Sequence, residues 1–323
     1  MEELFQKIPG LSLSAKKIFE RLFEVKKEKT KIYLPEQLRE KYQQAENQEI
    51  VIIRNKILNQ ETHFNIWRAK RKEPQKESKL LENEYDPFCN PINYTPYDEF
   101  GRLENESAIT ASNLAKSAKN HSLVIFKNHQ INQIDIKNSF LLAYQWFLHF
   151  QEENRIIIWN YGYRSGASIF HPHLQIFALD TLPLKIDYLF KRFADYQTEY
   201  HSNYLDDLFF LSTELDLAQK FDDFNIIVSL TPFKDDEVLF FSENFEDNIH
   251  QLACLVYSYL TLGIENFNLF LIETKEILLG FLVNRGESNK INSDIGSLEI
   301  YAFSVVGSNP FDLAKKLFVN YWR

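Results

Sequence analysis

A chain of 323 residues with 45% hydrophobic and 15% aromatic residues can build one large domain, or two ordinary ones, around a substantial core. Its formal net charge of −9 excludes a general nucleic-acid binder, which needs a broad basic surface. Two cysteines exclude a disulfide framework, the acidic start M-E-E-L-F-Q-K does not read as a signal peptide, and no apolar run approaches membrane-spanning length, so a soluble cytoplasmic protein is expected.

Residues 1–48 are charged and helix-prone. Ser12 and Ser14 offer an N-cap before A-K-K-I-F-E-R-L-F-E-V-K-K, where Ile18, Leu22 and Phe23 line one narrow stripe, so a helical extension packed on the main body is expected. Residues 49–54, E-I-V-I-I-R, read as the first strand, with a hairpin through Asn59 and Gln60 back to residues 62–64. The basic run W-R-A-K-R-K at 67–72 follows, containing Arg68 and Arg71; taken alone, such a run is commonly a solvated edge. Residues 74–84 are polar and loop-like and lead into D-P-F-C at 86–89.

Asn113 sits in a turn ahead of a strand at 122–126, and His129 lies just beyond it. Residues 134–150 read as an amphipathic helix with Phe140, Ala143, Tyr144, Phe147 and Phe150 on one face, and His149 as a structural neighbour of core aromatics. A buried strand at 155–159 then opens N-Y-G-Y-R-S-G-A-S-I-F-H-P-H-L-Q-I-F-A-L, residues 160–179. Only nine glycines occur in the chain, so Gly162 and Gly166 concentrate backbone freedom in a loop whose N–H groups can cradle an anion. A strand starting after Pro172 puts His173 and Gln175 on one face and His171 elsewhere. A histidine beside such a cradle can attack phosphorus and carry the group covalently.

The second half repeats the order of the first without its histidines: strands at 224–230 and 237–242, a helix at 244–262, strands at 267–273 and 277–284, a last strand at 297–306 and a helix opened by Pro310. Asn284, Arg285, Gly286, Asn292, Ser293 and Asp294 either face a pocket or form turns. His201 and His250 lie in poorly patterned sequence.

Asn160, Gly166, Ser168, His171, His173 and Gln175 reproduce the pattern Asn, glycine loop, Gly-x-Ser, His-x-His-x-Gln. In this the chain resembles the branch of the histidine-triad superfamily that holds galactose-1-phosphate uridylyltransferases, ADP-glucose phosphorylases and diadenosine tetraphosphate phosphorylases. The segment H-F-N-I-W-R-A-K-R at 63–71 resembles the same branch and follows the same order along the chain. The resemblance implies an α+β, histidine-triad-like fold of two tandem halves, each an antiparallel sheet with a packing helix. Its divisions are a helical extension at 1–48, the half with the motif at 49–190 and a second half at 191–323.

It further implies a nucleotidyltransferase working by a ping-pong route. His173 would be the nucleophile and Gln175 would hold the phosphate of the intermediate. Arg68, Arg71, Asn113, Asn160, Gly166 and Ser168 would contact nucleotide or phosphate. The partners implied are a nucleotide or nucleotide sugar, a phosphate-bearing acceptor and a second copy of the chain, with no nucleic-acid polymer and no membrane. The G-A-S segment at 166–168 looks more like the phosphorylases, which favours adenylyl over uridylyl. No cofactor is required for the chemistry. Relatives with C-x-x-C at 86–89 hold a structural zinc; here Asp86 replaces the first cysteine, and Asp86, Cys89, His129 and His171 form an allowed ligand set. The alternatives are a hydrolase, disfavoured because Gln175 stands where hydrolases carry a third histidine, and a nucleotide-binding protein of the same fold without turnover.

Overall fold

The computed structural model describes residues 1–69, 86–288 and 293–321. In chain order its strands are β1 (Phe23–Lys31), β2 (Asn47–Asn55), β3 (Gln60–Phe64), β4 (Ala108–Ser112), β5 (Asn120–Phe126), β6 (Asn154–Tyr161) and β7 (His173–Leu179). They continue with β8 (Ala218–Phe221), β9 (Phe224–Val228), β10 (Val238–Ser242), β11 (Phe267–Glu273), β12 (Leu278–Asn284) and β13 (Ser304–Val306). Four of them form one sheet in the order β1-β2-β3-β13, and nine form another in the order β4-β5-β7-β6-β11-β12-β10-β9-β8.

The N-terminal helix is shorter than its sequence suggests. Ser12 caps it, its Oγ accepting from Ala15 N–H at 3.2 Å, but the helix Leu13–Leu22 stops before Phe23. Residues 23–27, expected to continue it, belong instead to β1, which pairs with β2 from Phe23↔Asn55 to Lys31↔Asn47. The reason lies in F-E-V-K-K-E-K-T-K: Phe23 and Val25 alternate with charged residues at the period of a half-exposed strand. Its lysines suit it to the outer edge of the sheet. Residues 297–306 also differ from the single strand expected. A helical turn, Ser297–Tyr301, comes first, with Glu299 accepting from Gly296 N–H at 2.9 Å, and only Ser304–Val306 is extended, parallel to β3. The helices Leu184–Tyr200 and Tyr204–Glu214, which the sequence reading did not anticipate, fill the connection between β7 and β8.

In the large sheet the two halves are arranged alike about the β6–β11 pair. The order β4-β5-β7-β6 on one side is answered by β9-β10-β12-β11 on the other, with the helix Gln133–Phe147 between β5 and β6 and the helix Ile249–Thr261 between β10 and β11. The expected antiparallel halves are present, joined into one continuous sheet. The first helix starts at a capping box, Asn132 accepting from Asp135 N–H at 3.0 Å and Asp135 from Asn132 N–H at 3.2 Å. It buries Ile136, Phe140, Ala143 and Phe147, which recur at helical spacing. These share one core with Trp159, Leu174 and Ile176, which face the helices from the sheet. The opposite face of β4 and β5 carries a separate small cluster: Phe88, Ile109, Ala111, Leu123 and Ile125. His173 and Gln175 lie on that second face.

Candidate functional site

β7 starts where it does because Pro172 has no N–H to give. Its carbonyl instead accepts from Phe126 N–H at 3.1 Å, and the antiparallel ladder continues with Ile125↔His173, Leu123↔Gln175 and His121↔Phe177. Paired residues share a face, so His121, His173 and Gln175 stand on one side of the sheet.

His173 is 7% exposed. Its Nδ1 lies 2.8 Å from the His171 carbonyl oxygen, which only accepts. Nδ1 therefore carries the proton and the lone pair is on Nε2. Phe88 stands edge-on to the ring at 5.0 Å. Burial pushes the imidazole pKa below its ordinary value, outweighing the His171 carbonyl, which pulls it up. The neutral, nucleophilic form is thereby favoured.

Asp86, Cys89, His129 and His171 converge, with one ligand atom of each lying within 4.8 Å of all the others. Cys89 Sγ is 3.3 Å from Asp86 Oδ2, 3.3 Å from His129 Nε2 and 3.9 Å from His171 Nδ1. Asp86 Oδ2 is 3.0 Å from His171 Nδ1 and 3.7 Å from His129 Nε2. Ligands of a tetrahedral zinc at about 2.0–2.3 Å stand roughly 3.3–3.6 Å apart, so these separations suit such an ion. His171 Nε2–H donates to the Phe126 carbonyl at 2.6 Å, which turns an unprotonated Nδ1 toward the other three groups. Burial would raise the Asp86 carboxyl, but the His171 ring beside it and hydrogen bonds from Phe88 N–H and Cys89 bring it below its ordinary value. The donor set fits a divalent metal.

No family model and no curated protein matches this chain. Solved structures do. An ADP-glucose phosphorylase from Arabidopsis thaliana, with bound ADP-glucose, superposes with a TM-score of 0.60 at 16% identity over 82% of this chain and 97% of its own. A GalT-like protein from the same plant gives 0.58 at 16% identity over 82% and 97%. A uridylyltransferase gives 0.56 at 12% identity over 84% and 98%. The fold is histidine-triad-like.

Within this histidine-triad-like fold the loop joining β6 to β7 is pinned by the second half. Gly162 (φ +84°) approaches the residues just ahead of β11 so closely that an added Cβ would stand 2.5 Å from the Glu265 carbonyl oxygen and from Asn266 Oδ1. Gly166 (φ +87°) takes the left-handed conformation at the end of the turn Tyr163–Ser165. Asn160 Oδ1 accepts from Asn268 Nδ2 at 2.6 Å, and Asn268 also donates to the Ser165 carbonyl at 2.8 Å. Arg285 holds Asn268 Oδ1 and grips Asp294 with two bonds of 2.8 Å. Asn160, expected in the pocket, thus also bridges the two halves, while Ser168 is exposed on the loop. Arg68 is held elsewhere, donating to Glu299 at 3.1 Å, and Arg71 lies outside the described residues.

The sequence reading missed His121. It is 2% exposed, stacks on Phe177 at 4.0 Å, and meets Gln175 Oε1 at 3.2 Å and Asn113 Nδ2 at 3.0 Å through Nε2. The signal was there in N-H-S-L-V-I-F: carrying the period-two pattern of Leu123 and Ile125 back one step places His121 on the Gln175 face. The expected start at residue 122 is two positions too late: β5 begins at Asn120. His149, read as structural, is exposed and stacks on Phe100 at 4.0 Å. On β12, the counterpart of β7, the corresponding face carries Leu279, Phe281 and Val283, so the second half presents no nucleophile there.

Proposed function

We propose that the chain is a nucleotidyltransferase acting through a nucleotidyl-His173 intermediate, with adenylyl as the transferred group. The observation that carries this reading is the buried His173 ring, whose Nδ1 proton is committed to the His171 carbonyl and whose lone pair is on Nε2.

In the first step Nε2 attacks the α-phosphorus. An N–P bond forms, and the bond from phosphorus to its bridging oxygen breaks, the electron pair leaving with the departing phosphate or sugar phosphate. In the second step an acceptor phosphate oxygen attacks the same phosphorus and the N–P pair returns to Nε2. Nδ1 keeps its proton throughout, and the His171 carbonyl stabilises the positive charge that the ring gains. Gln175, Gly166 and Ser168 would hold phosphate oxygens, with Asn113 and Asn160 lining the nucleotide pocket. This chemistry requires mainly positioning and charge stabilisation. Arg68 would join by exchanging Glu299 for a phosphate, a trade between two oxyanions that a guanidinium binds in similar ways.

The reading includes a zinc ion held by Asp86, Cys89, His129 and His171, whose chemistry would be a structural cross-link. These residues would then fix the 86–89 turn, and with it Phe88, against His173. Among the described residues no helix is long and apolar enough to cross a membrane, and both cysteines are free thiols. A reducing, cytoplasmic setting suits such a site.

Intact-protein mass spectrometry tests the proposal, after brief incubation with ADP-glucose, UDP-glucose or diadenosine tetraphosphate and an alkaline quench. The expected result is a gain of one AMP that disappears in His173→Ala. An adduct retained by that variant, or nucleotide binding with no adduct from any donor, would overturn the covalent scheme. Loss of the nucleophile should lower turnover by several orders of magnitude.

A further inference from the structure

We infer that His121 is a positioning residue that sets which end of the Gln175 amide faces the reaction centre; this rests on Gln175 serving the transfer at His173. A glutamine can present either its carbonyl or its NH₂ group, and the two ends have similar shapes. A phosphate oxygen only accepts. A Gln175 turned the wrong way would set its oxygen against the phosphate.

The contacts of His121 fix the choice. Ser117 N–H points at His121 Nδ1 from 3.1 Å, and Ser117 Oγ lies 3.3 Å from the same atom. A backbone N–H can only donate, so Nδ1 accepts and Nε2 carries the proton of the neutral ring. Nε2–H then donates to Gln175 Oε1 at 3.2 Å, which leaves the NH₂ end of Gln175 to face the ligand. Stacking on Phe177, with ring planes 18° apart, holds the imidazole in the plane this geometry needs. Burial lowers the pKa of His121, which keeps the ring neutral and Nδ1 able to accept.

One neighbour opposes this assignment. Asn113 Nδ2 stands 3.0 Å from His121 Nε2, with Asn113 Oδ1 accepting from Ala115 N–H at 2.9 Å. Two donors cannot share one approach. The other tautomer would satisfy Asn113 but set a proton against Ser117 N–H and a lone pair against Gln175 Oε1. Asn113, a partly exposed side chain on a turn, is the group that can rotate away; the Ser117 backbone is not. The protonated nitrogen is therefore Nε2.

Two variants separate positioning from packing. In His121→Gln the amide reaches the place of Nε2 and can still donate to Gln175. In His121→Asn the shorter amide occupies the place of Nδ1 and leaves Gln175 unheld. The readout is the single-turnover rate of adduct formation with whichever of ADP-glucose, UDP-glucose or diadenosine tetraphosphate labels the wild type.

The Asn variant should be about 10- to 100-fold slower, below the usual cost of deleting a transition-state donor outright, and the Gln variant at most about threefold slower. In a Gln175→Ala background the Asn change should add less than about twofold, since its effect runs through Gln175. Equal rates for the two His121 variants, or an Asn penalty that persists without Gln175, would overturn the inference. The His121 tautomer can be read without nucleotide by ¹⁵N–¹H correlation, where a proton on Nδ1 would overturn it independently. A wild type that forms no adduct with any donor, while showing the Nε2–H tautomer, would instead locate the failure in the transfer reading.

Discussion

His173 and Glu237 are both buried, and burial acts on them in opposite directions. It favours the neutral form in each case, lowering the imidazole pKa and raising that of the carboxyl. At His173 the neutral form is the one the proposed transfer uses. At Glu237 it is a stability matter. The carboxyl lines a cavity with Asn55, Gln60, Tyr204 and Thr231, and no cation is among the described lining residues. Burial pushes Glu237 up to about 7, against the pull of Phe233 N–H, which donates to it at 2.8 Å. The folded value therefore exceeds the unfolded one of about 4.3. Between those values the native state binds more protons, so stability falls as pH rises through that window, by an amount on the order of 3 kcal/mol once above pH 7. Glu237→Gln keeps the acceptor for Phe233 N–H and should remove this slope. Urea unfolding from pH 5 to 8 should show the variant gaining on wild type as pH rises. Parallel curves would mean that Glu237 does not carry a proton in the folded protein.

At the scale of elements, the turn Pro87–Cys89 connects the Asp86, Cys89, His129 and His171 cluster to His173, because Phe88 lies between Asp86 and Cys89 and packs on both His171 and His173. A chelator should therefore lower Tm, by roughly 2 °C for each kcal/mol of lost metal affinity in a chain this size, and slow adduct formation as Phe88 loosens. Elemental analysis of the purified protein gives the direct check. About one zinc per chain in wild type and a marked loss in Cys89→Ala is the expected pair of results; a metal-free wild type of full stability would count against the site.

That Asp86, Cys89, His129 and His171 converge was legible in the sequence, although Asp86 and His171 lie 85 positions apart, because the family resemblance brings those four positions together. β7 was legible for a local reason: Pro172 punctuates it and an apolar run follows. β1 was not, since its lysines and glutamates also suit a helix surface and only pairing with β2 makes nine residues extended. His121 escaped because a strand read from residue 122 cuts it off from the period-two pattern of Leu123 and Ile125 that places it on the Gln175 face. The bridge from Asn160 through Asn268 to Arg285 joins residues more than 100 positions apart, and nothing local announces it.

At the scale of the molecule, the β6–β11 pair makes the two halves one folding unit. Seven residue pairs form across it, from Arg155↔Glu273 to Tyr161↔Phe267, and Arg155 donates to Glu273 at 3.1 Å. Trp159 meets Phe126 and Phe140 from its own half and Phe267 from the other, within a single core that draws on both. Separating the halves would leave β6 and β11 with unpaired backbone groups and divide that core, so neither half should unfold alone. The tryptophans make this measurable. Trp67, Trp146 and Trp159 precede residue 190 and only Trp322 follows it, so fluorescence reports mainly on the first half, whereas far-UV circular dichroism reports on both. The two guanidinium unfolding curves should coincide, with one midpoint and one slope. A fluorescence transition displaced from the dichroism transition would show that the halves unfold separately. The β7 site would then not depend on the second half for its loop, and the pinning of that loop at Gly162 and Asn160 would be incidental to function.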